Sequence, residues 1–276
     1  MSNYRLSPDD PGFADCFVRN GFVVCASVLD SDAVTAFGAK AQAAYEAIKA
    51  ETWSDDMPDE ERSTLEPSRD IIERPDIKSE LFDLMVQPAF LDALEKFLGP
   101  DISVLAWQDL WINDPEDPSP VTNKALHQEY WSGAGPDDLT AWVPLTELDG
   151  ANGLTVLPGS HTYGVVPNRN RQALAVDGID YDNALVLHDV APGDAVLFHS
   201  LLLHGTAGKG NRLRLAAAGH FKPTFAETSA KMTSVGQIGV RMGPLTKIRH
   251  VLGNDQFTPF RTYGGPVSNV PRSRKD

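Results

Sequence analysis

Beyond Pro100 the chain breaks into short apolar runs separated by Gly, Pro, Asn and Asp, and this rhythm constrains the fold more than any other feature. The runs are ISVLAWQDLWI, ALHQEYW, LTAWVPLTEL, LTVLPGS, ALVLHDV, AVLFHSLLLH and RLRLAAAGHF. Seven or more short strands with turn signals between them leave a sandwich or a barrel, because each strand must bury its apolar face against a second layer. The expected fold is mainly β.

The first hundred residues read differently. Residues 9–28 carry Phe13, Phe17 and Val18 on an amphipathic stretch that meets Gly21 and then FVVCASVL, a helix leading into a strand. Asp30, Ser31 and Asp32 supply caps for a helix over 33–50, with Val34, Phe37, Ala41, Tyr45 and Ile48 at helical spacing. A further helix is expected over 81–98, ending at Gly99-Pro100. Residues 51–70 are acidic, contain Pro58 and Pro67 and lack periodicity, which predicts a solvated loop, with a lid as the alternative. No linker-like stretch divides the chain. One domain over 1–276 is expected: helices over about 1–100, a β core over about 101–225 and a C-terminal extension over about 226–276.

Composition excludes several functions. With 24 Lys+Arg against 38 Asp+Glu the net charge is −14, the wrong sign for a protein that must neutralise phosphates, so nucleic acid is not an expected partner. The longest apolar runs, 195–198 and 201–203, fall far short of the ~20 residues that cross a bilayer, so no membrane partner is expected. The start, MSNYRLSPDDPGF, shows no secretory pattern, and a cytoplasmic location is expected. Cys16 and Cys25 lie outside any zinc-like cluster and read as small buried hydrophobes.

Chemistry is expected where histidines meet carboxylates. In ALHQEYW, His127 and Glu129 are separated by one residue, and on a strand positions i and i+2 share a face, so one imidazole and one carboxylate can grip a single ion. A second histidine, His204, stands at the end of AVLFHSLLLH before a Gly-rich hairpin loop. Two histidines and one carboxylate leave open positions on an octahedral ion, the donor set of non-haem Fe(II) oxygenases. His199 competes with His204, but five residues apart on a regular strand they point to opposite faces. Along RLRLAAAGHF, Arg212, Arg214, Ala216, Ala218 and His220 share a face. An inward Arg is costly unless it pairs with an anion, and the far carboxylate of a metal-chelating 2-oxo dicarboxylate would be such a partner. Fe(II), one carboxylate, a doubly charged 2-oxoglutarate and one guanidinium then sum to zero.

The segments GFVVCASVLDSDAV, LHQEYW, AWVPLTELDGANGLTVLPGSH, GDAVLFHSLLLHGT and RLRLAAAGHF, in order over roughly 13–221, resemble the phytanoyl-CoA dioxygenase family of Fe(II)/2-oxoglutarate-dependent oxygenases. The resemblance implies a double-stranded β-helix, a cupin-like jelly roll with helices packed against it. It implies His127, Glu129 and His204 as iron ligands and Arg214 as the partner of the distal 2-oxoglutarate carboxylate, with O2 as the second co-substrate. Trp142, in AWVPL, matches an aromatic position lining the co-substrate pocket, and Gln108 is expected to reach 2-oxoglutarate. His161 in PGSH belongs to the resemblance as a turn feature without chemistry. The family more often carries Asp where this chain has Glu129, and the loop GTAGKGN is about one residue short, so aligning back from GHF selects Arg214 while Arg212 keeps the same parity. The implied activity is hydroxylation of a C–H bond of a small metabolite or natural-product intermediate. A cupin-like metal enzyme that does not use 2-oxoglutarate, and a non-catalytic ligand-binding homologue, stand beside it. Tyr130 and Trp131 are candidates for the pocket wall, and Arg169 and Arg171 lie on an inserted polar loop.

Overall fold

The protein is described by a computed structural model that covers residues 2–53, 57–58, 67–117, 125–206, 208, 210–226 and 236–251. Helix α1 (Phe13–Asn20) closes on Gly21, whose φ of 77° suits a left-handed cap, and strand β2 (Phe22–Cys25) follows at once. Strand β1 (Arg5–Leu6) lies parallel beside it. Helix α2 (Ser31–Thr52) starts where Asp30 accepts hydrogen bonds from the backbone N–H groups of Asp32 and Ala33 at 2.9 and 3.0 Å. Helix α3 (Pro67–Ile72) precedes two more helices. The single helix expected over 81–98 is in fact two, α4 (Pro75–Met85) and α5 (Pro88–Leu98). Pro88 has no N–H and drives the residue before it out of helical geometry; Gln87 sits at φ −57°, ψ 139°. Most of the acidic loop, 54–56 and 59–66, and the tail from 252 onward lie outside the described residues.

The β-rich part holds strands β3 (Ile102–Asn113), β4 (Leu139–Pro144), β5 (Leu154–Val156), β6 (Asn168–Arg169), β7 (Gln172–Ala173), β8 (Leu185–Leu187), β9 (Ala195–His199), β10 (His204–Thr206) and β11 (Arg214–Pro223). Within the expected C-terminal extension lie β12 (Gln237–Arg241) and helix α6 (Pro244–Val251). Seven strands form one sheet in the order β1-β2-β9-β4-β11-β3-β12, three form a second, β10-β5-β8, and β6 pairs with β7. Strand alternation assigns the faces of the large sheet. Val23, Cys25, Ala195, Leu197, Leu215, Ala217 and Phe221 join the helices in one core, while Phe22, Val24, Val196, Phe198, Ala216 and Trp142 turn the other way, towards Leu154, Val156 and Leu187 of the small sheet. The functional cavity opens on this second face. Among the described residues no helix is long and apolar enough to cross a membrane.

Two expected strands are not strands as read. AVLFHSLLLH splits into β9 and β10, joined by a turn, and the two halves belong to different sheets. ALHQEYW forms only an isolated bridge at His127, followed by a 3-10 turn over Glu129–Ser132. At the entry to β9, Asp194 is 1% exposed and holds both Nε and Nη2 of Arg5 at 2.9 Å while accepting from the N–H groups of Ser27 (2.8 Å) and Ala191 (3.1 Å). This carboxylate ties the N-terminal strands to the strand that leads to His204. Asp194→Ala strands those donors and is expected to cost about 2–4 kcal/mol in urea unfolding, with Asp194→Asn recovering part of it.

Candidate metal centre

The histidines meet because their backbones pair. His127 N–H donates to His204 O at 2.7 Å and His204 N–H to His127 O at 3.0 Å, an antiparallel bridge that puts both side chains on one side. The ring centroids are 4.3 Å apart. Gln128 is extended at φ −115°, ψ 138°, which returns Glu129 to the side of His127 before the chain turns. The i, i+2 logic therefore holds over three residues although no strand surrounds them. Gln128 is fully buried on the opposite side, where its amide donates to Gly164 O (2.8 Å) and Leu201 O (2.6 Å) and accepts from Val166 N–H (3.0 Å). Nothing in the sequence marked this clamp, because an amide between two charged-capable residues has no periodic signature.

Each imidazole has its Nδ1 3.0 Å from a backbone carbonyl, His127 from Ala125 O and His204 from Leu202 O. A carbonyl only accepts, so Nδ1 carries the proton and Nε2 presents its lone pair. Both Nε2 atoms face Glu129 Oε1, at 3.7 Å for His127 and 3.2 Å for His204, and the three ligand atoms lie within 4.8 Å of one another. Burial pushes the Glu129 carboxyl up, but the two imidazoles beside it prevail and hold it well below the usual carboxylate range. Burial and the neighbouring His127 push His204 down, favouring neutral imidazole. Three converging lone pairs repel unless a cation sits among them, so the donor set fits a divalent metal ion. Phe198, 4.4 Å from the His204 ring, holds that ring from below.

The triad lines a cavity whose wall also carries Asp109, Trp111, Thr140, Trp142, Thr206, Arg214 and His220. Arg214 is 3% exposed, its Nε has no hydrogen-bond partner, and among the described residues no carboxylate pairs with it. Burial alone pushes its guanidinium down to about 10. It lies 5.7 Å over the Trp142 ring. Arg212, of the same nominal parity, precedes β11, is largely exposed and pairs with Glu147 at 3.2 Å.

Other expected positions fall elsewhere. Gln108 pairs with Gly219, and that register puts it on the helical face with Leu110 and Ala217, so it does not line the cavity. Its neighbour Asp109, opposite Ala218, takes the inward place. His199 ends β9 with its Nδ1 accepting from Leu201 N–H at 3.1 Å and its ring 5.6 Å from His161, away from the triad. His161 Nε2–H donates to Val18 O at 3.1 Å, a tie between a turn and α1. Trp131 packs against Leu157, Val166 and Leu203, Tyr130 is exposed, and Arg169 and Arg171 sit on the exposed β6–β7 hairpin; none of the four lines the cavity.

The family model for phytanoyl-CoA dioxygenase (PhyH) matches residues 17–216. The chain belongs to the phytanoyl-CoA dioxygenase family. A relative in Bos taurus, the peroxisomal phytanoyl-CoA dioxygenase, is 35% identical over 156 residues, covering 51% of this chain and 46% of its own. The 1-deoxypentalenic acid 11-beta-hydroxylase of Streptomyces arenae is 30% identical over 136 residues, covering 44% and 48%. The chain thus spans about half the length of the curated relatives it matches. Among solved structures, the non-heme monooxygenase ThoJ in its apo form superposes with a TM-score of 0.59 at 24% identity over 82% of each chain. EctD from S. alaskensis with 2-oxoglutarate and 5-hydroxyectoine gives 0.55 at 18% identity, over 79% of this chain and 77% of that one. These likenesses establish the fold, a double-stranded β-helix with helices packed on its large sheet, as the phytanoyl-CoA dioxygenase resemblance implied.

Proposed function

We propose that this chain is an Fe(II)- and 2-oxoglutarate-dependent dioxygenase that hydroxylates a C–H bond of a small metabolite or natural-product intermediate and releases succinate and CO2. The observation that carries this reading is the buried Arg214, without a carboxylate partner among the described residues, on the wall of the cavity that holds the His127, Glu129 and His204 cluster. An unpaired buried guanidinium costs stability, and a dicarboxylate bound at the triad would supply its counterion.

In this reading His127, Glu129 and His204 hold the iron, and the bound ion supplies a Lewis-acidic centre at which 2-oxoglutarate and dioxygen react. The protein's part is placement. Ala125 O and Leu202 O fix the tautomers that aim both Nε2 atoms inward, and Gln128 fixes the backbone between His127 and Glu129. Arg214, stacked on Trp142, takes the distal carboxylate and sets which end of the co-substrate faces the triad. Phe198, Leu154 and Trp142 keep the surroundings apolar and limit water. The relatives' names support a small-molecule substrate: one is named for phytanoyl-CoA, another for 1-deoxypentalenic acid. The expected cytoplasmic location remains part of this proposal. A metal enzyme of the same fold that does not use 2-oxoglutarate would leave Arg214 without a purpose. Purified protein with Fe(II), ascorbate and 2-oxoglutarate is expected to form succinate slowly without added substrate, and absence of both 2-oxoglutarate binding and succinate would overturn the reading.

A further inference from the structure

Among the polar side chains of the cavity that the iron and 2-oxoglutarate reading does not use, three are joined to one another. His220, 5% exposed, has its Nε2 3.5 Å from Asp109 Oδ2 and its Nδ1 3.1 Å from Thr140 Oγ1. The register of the large sheet brings them together: Thr140 of β4 is the cross-strand partner of His220 on β11, and Asp109 of β3 is the partner of Ala218, two residues before His220 on the same face. The pairing of β11 with β3 is irregular between Gly219 and Phe221, around His220 itself. Such irregularities re-aim side chains and concentrate beside functional sites.

The partners define what Asp109 can still do. A carboxylate accepts only, so the nitrogen facing it, His220 Nε2, carries a proton and occupies Oδ2. Burial opposes charge on His220, but Asp109 and the nearby Glu129 prevail and raise it. Oδ1 of Asp109 makes no hydrogen bond with the described residues, and the side chain is 20% exposed, into the cavity. Asp109 stands opposite Ala218, four residues along β11 from Arg214 and roughly 13 Å of strand away, so the acceptor is separate from the co-substrate's anchor. Trp111, Trp142, Leu154 and Phe198 supply a broad apolar part of the wall, with Thr206 of β10 beside the triad. A pocket with a broad apolar wall and a fixed carboxylate acceptor suits a molecule that is mostly hydrocarbon and carries a donor.

We propose that Asp109 is a substrate-orienting residue that accepts a hydrogen bond from a hydroxyl group of the substrate, with His220 and Thr140 holding it in place. The substrate class is then a compact hydroxylated hydrocarbon skeleton, oriented by its hydroxyl so that a chosen C–H faces the triad. This rests on the oxygenase reading and adds a specificity determinant to it.

The test uses cyclohexanol and its methyl ether, which have similar shape and differ in the donor. Protein loaded with Mn(II) and 2-oxoglutarate, without dioxygen, is titrated with each probe, and the paramagnetic broadening of probe protons reports occupancy beside the metal. Roughly tenfold or greater preference for the alcohol is expected, because a site built to bond a hydroxyl rejects the analogue that lacks it. Asp109→Ala is expected to bring that ratio to about one, and Asp109→Asn, which keeps an acceptor oxygen, to preserve part of it; circular dichroism melting establishes that each variant is folded. His220→Leu should lower the ratio through misplacement of Asp109, a change that a merely structural role for His220 would not produce. Equal broadening by both probes in the unmodified protein, or an unchanged preference in Asp109→Ala, would overturn the proposal. Failure of 2-oxoglutarate to bind the Mn(II) protein at all would instead count against the oxygenase reading.

Discussion

His204→Ala is expected to abolish metal-dependent 2-oxoglutarate turnover and to weaken Fe(II) or Mn(II) binding by more than ~100-fold, since even groups that only orient a ligand contribute 10–100-fold. The substitution removes one of three lone pairs from the cluster and leaves an imidazole and a carboxylate, too few donors to hold a divalent ion against water. The fold should survive. The bridge between residues 127 and 204 is made by backbone groups, which alanine retains, and the lost packing is mainly the contact of the His204 ring with Phe198 at 4.4 Å. A cost of about 1–3 kcal/mol in unfolding is expected. Calorimetric titration with Mn(II) measures the first effect and urea unfolding the second. His199→Ala is the matched control: its ring sits against His161 and away from the triad, so metal affinity should stay within about twofold. Loss of metal binding in His199→Ala with retention in His204→Ala would reverse the assignment.

Much of this site was legible because its geometry is local. Strand parity requires only neighbours, and it correctly aligned Arg214, Ala218 and His220 on one face and gave His127 and Glu129 a common side. Long-range pairing was legible only through the family resemblance. The separation of His199 from His204 illustrates the difference. A single strand with opposite parity predicted that they diverge, and they do, but because the chain leaves the large sheet after His199 and joins the small one at His204. Gln108 shows where parity runs out: counting alternates faces but does not say which face is inward, and β3 carries a polar residue on each, Gln108 on one and Asp109 on the other, so polarity does not signal the choice. The longer helices were legible from caps and spacing; the break at Pro88 was missed because apolar periodicity outweighed a proline, and α3 and α6 were missed because six and eight residues carry too little periodicity. Asp109 and Thr140 were missed because a lone carboxylate and a lone hydroxyl in apolar strands acquire meaning only from the register that sets them beside His220.

Arg214→Met is expected to produce opposite effects on the free protein and on its complex. In the free protein the guanidinium is buried, unpaired at Nε and pushed down to about 10, so its charged form is disfavoured by the fold at every pH below that. A folded-state value below the unfolded one means that stability is lost at neutral pH and recovered only as the pH climbs through about 10. Replacing it by an apolar side chain of similar length removes this cost, and the free protein should melt at the same temperature or higher. Binding moves the other way. The distal carboxylate of 2-oxoglutarate would enter a dry pocket without a counterion, at a cost of about 3–5 kcal/mol, which weakens its affinity by roughly two to three and a half powers of ten. The stabilisation that 2-oxoglutarate confers on the metal-loaded protein should therefore vanish while the baseline rises or holds. Arg212→Met, at an exposed position paired with Glu147, should change neither by more than about twofold in affinity or ~0.5 kcal/mol in stability. A thermal melt of each variant with and without saturating 2-oxoglutarate reads both effects. If Arg214→Met destabilises the free protein and leaves affinity intact, the guanidinium is a structural element with a partner of its own, and the anion it awaits is not the co-substrate.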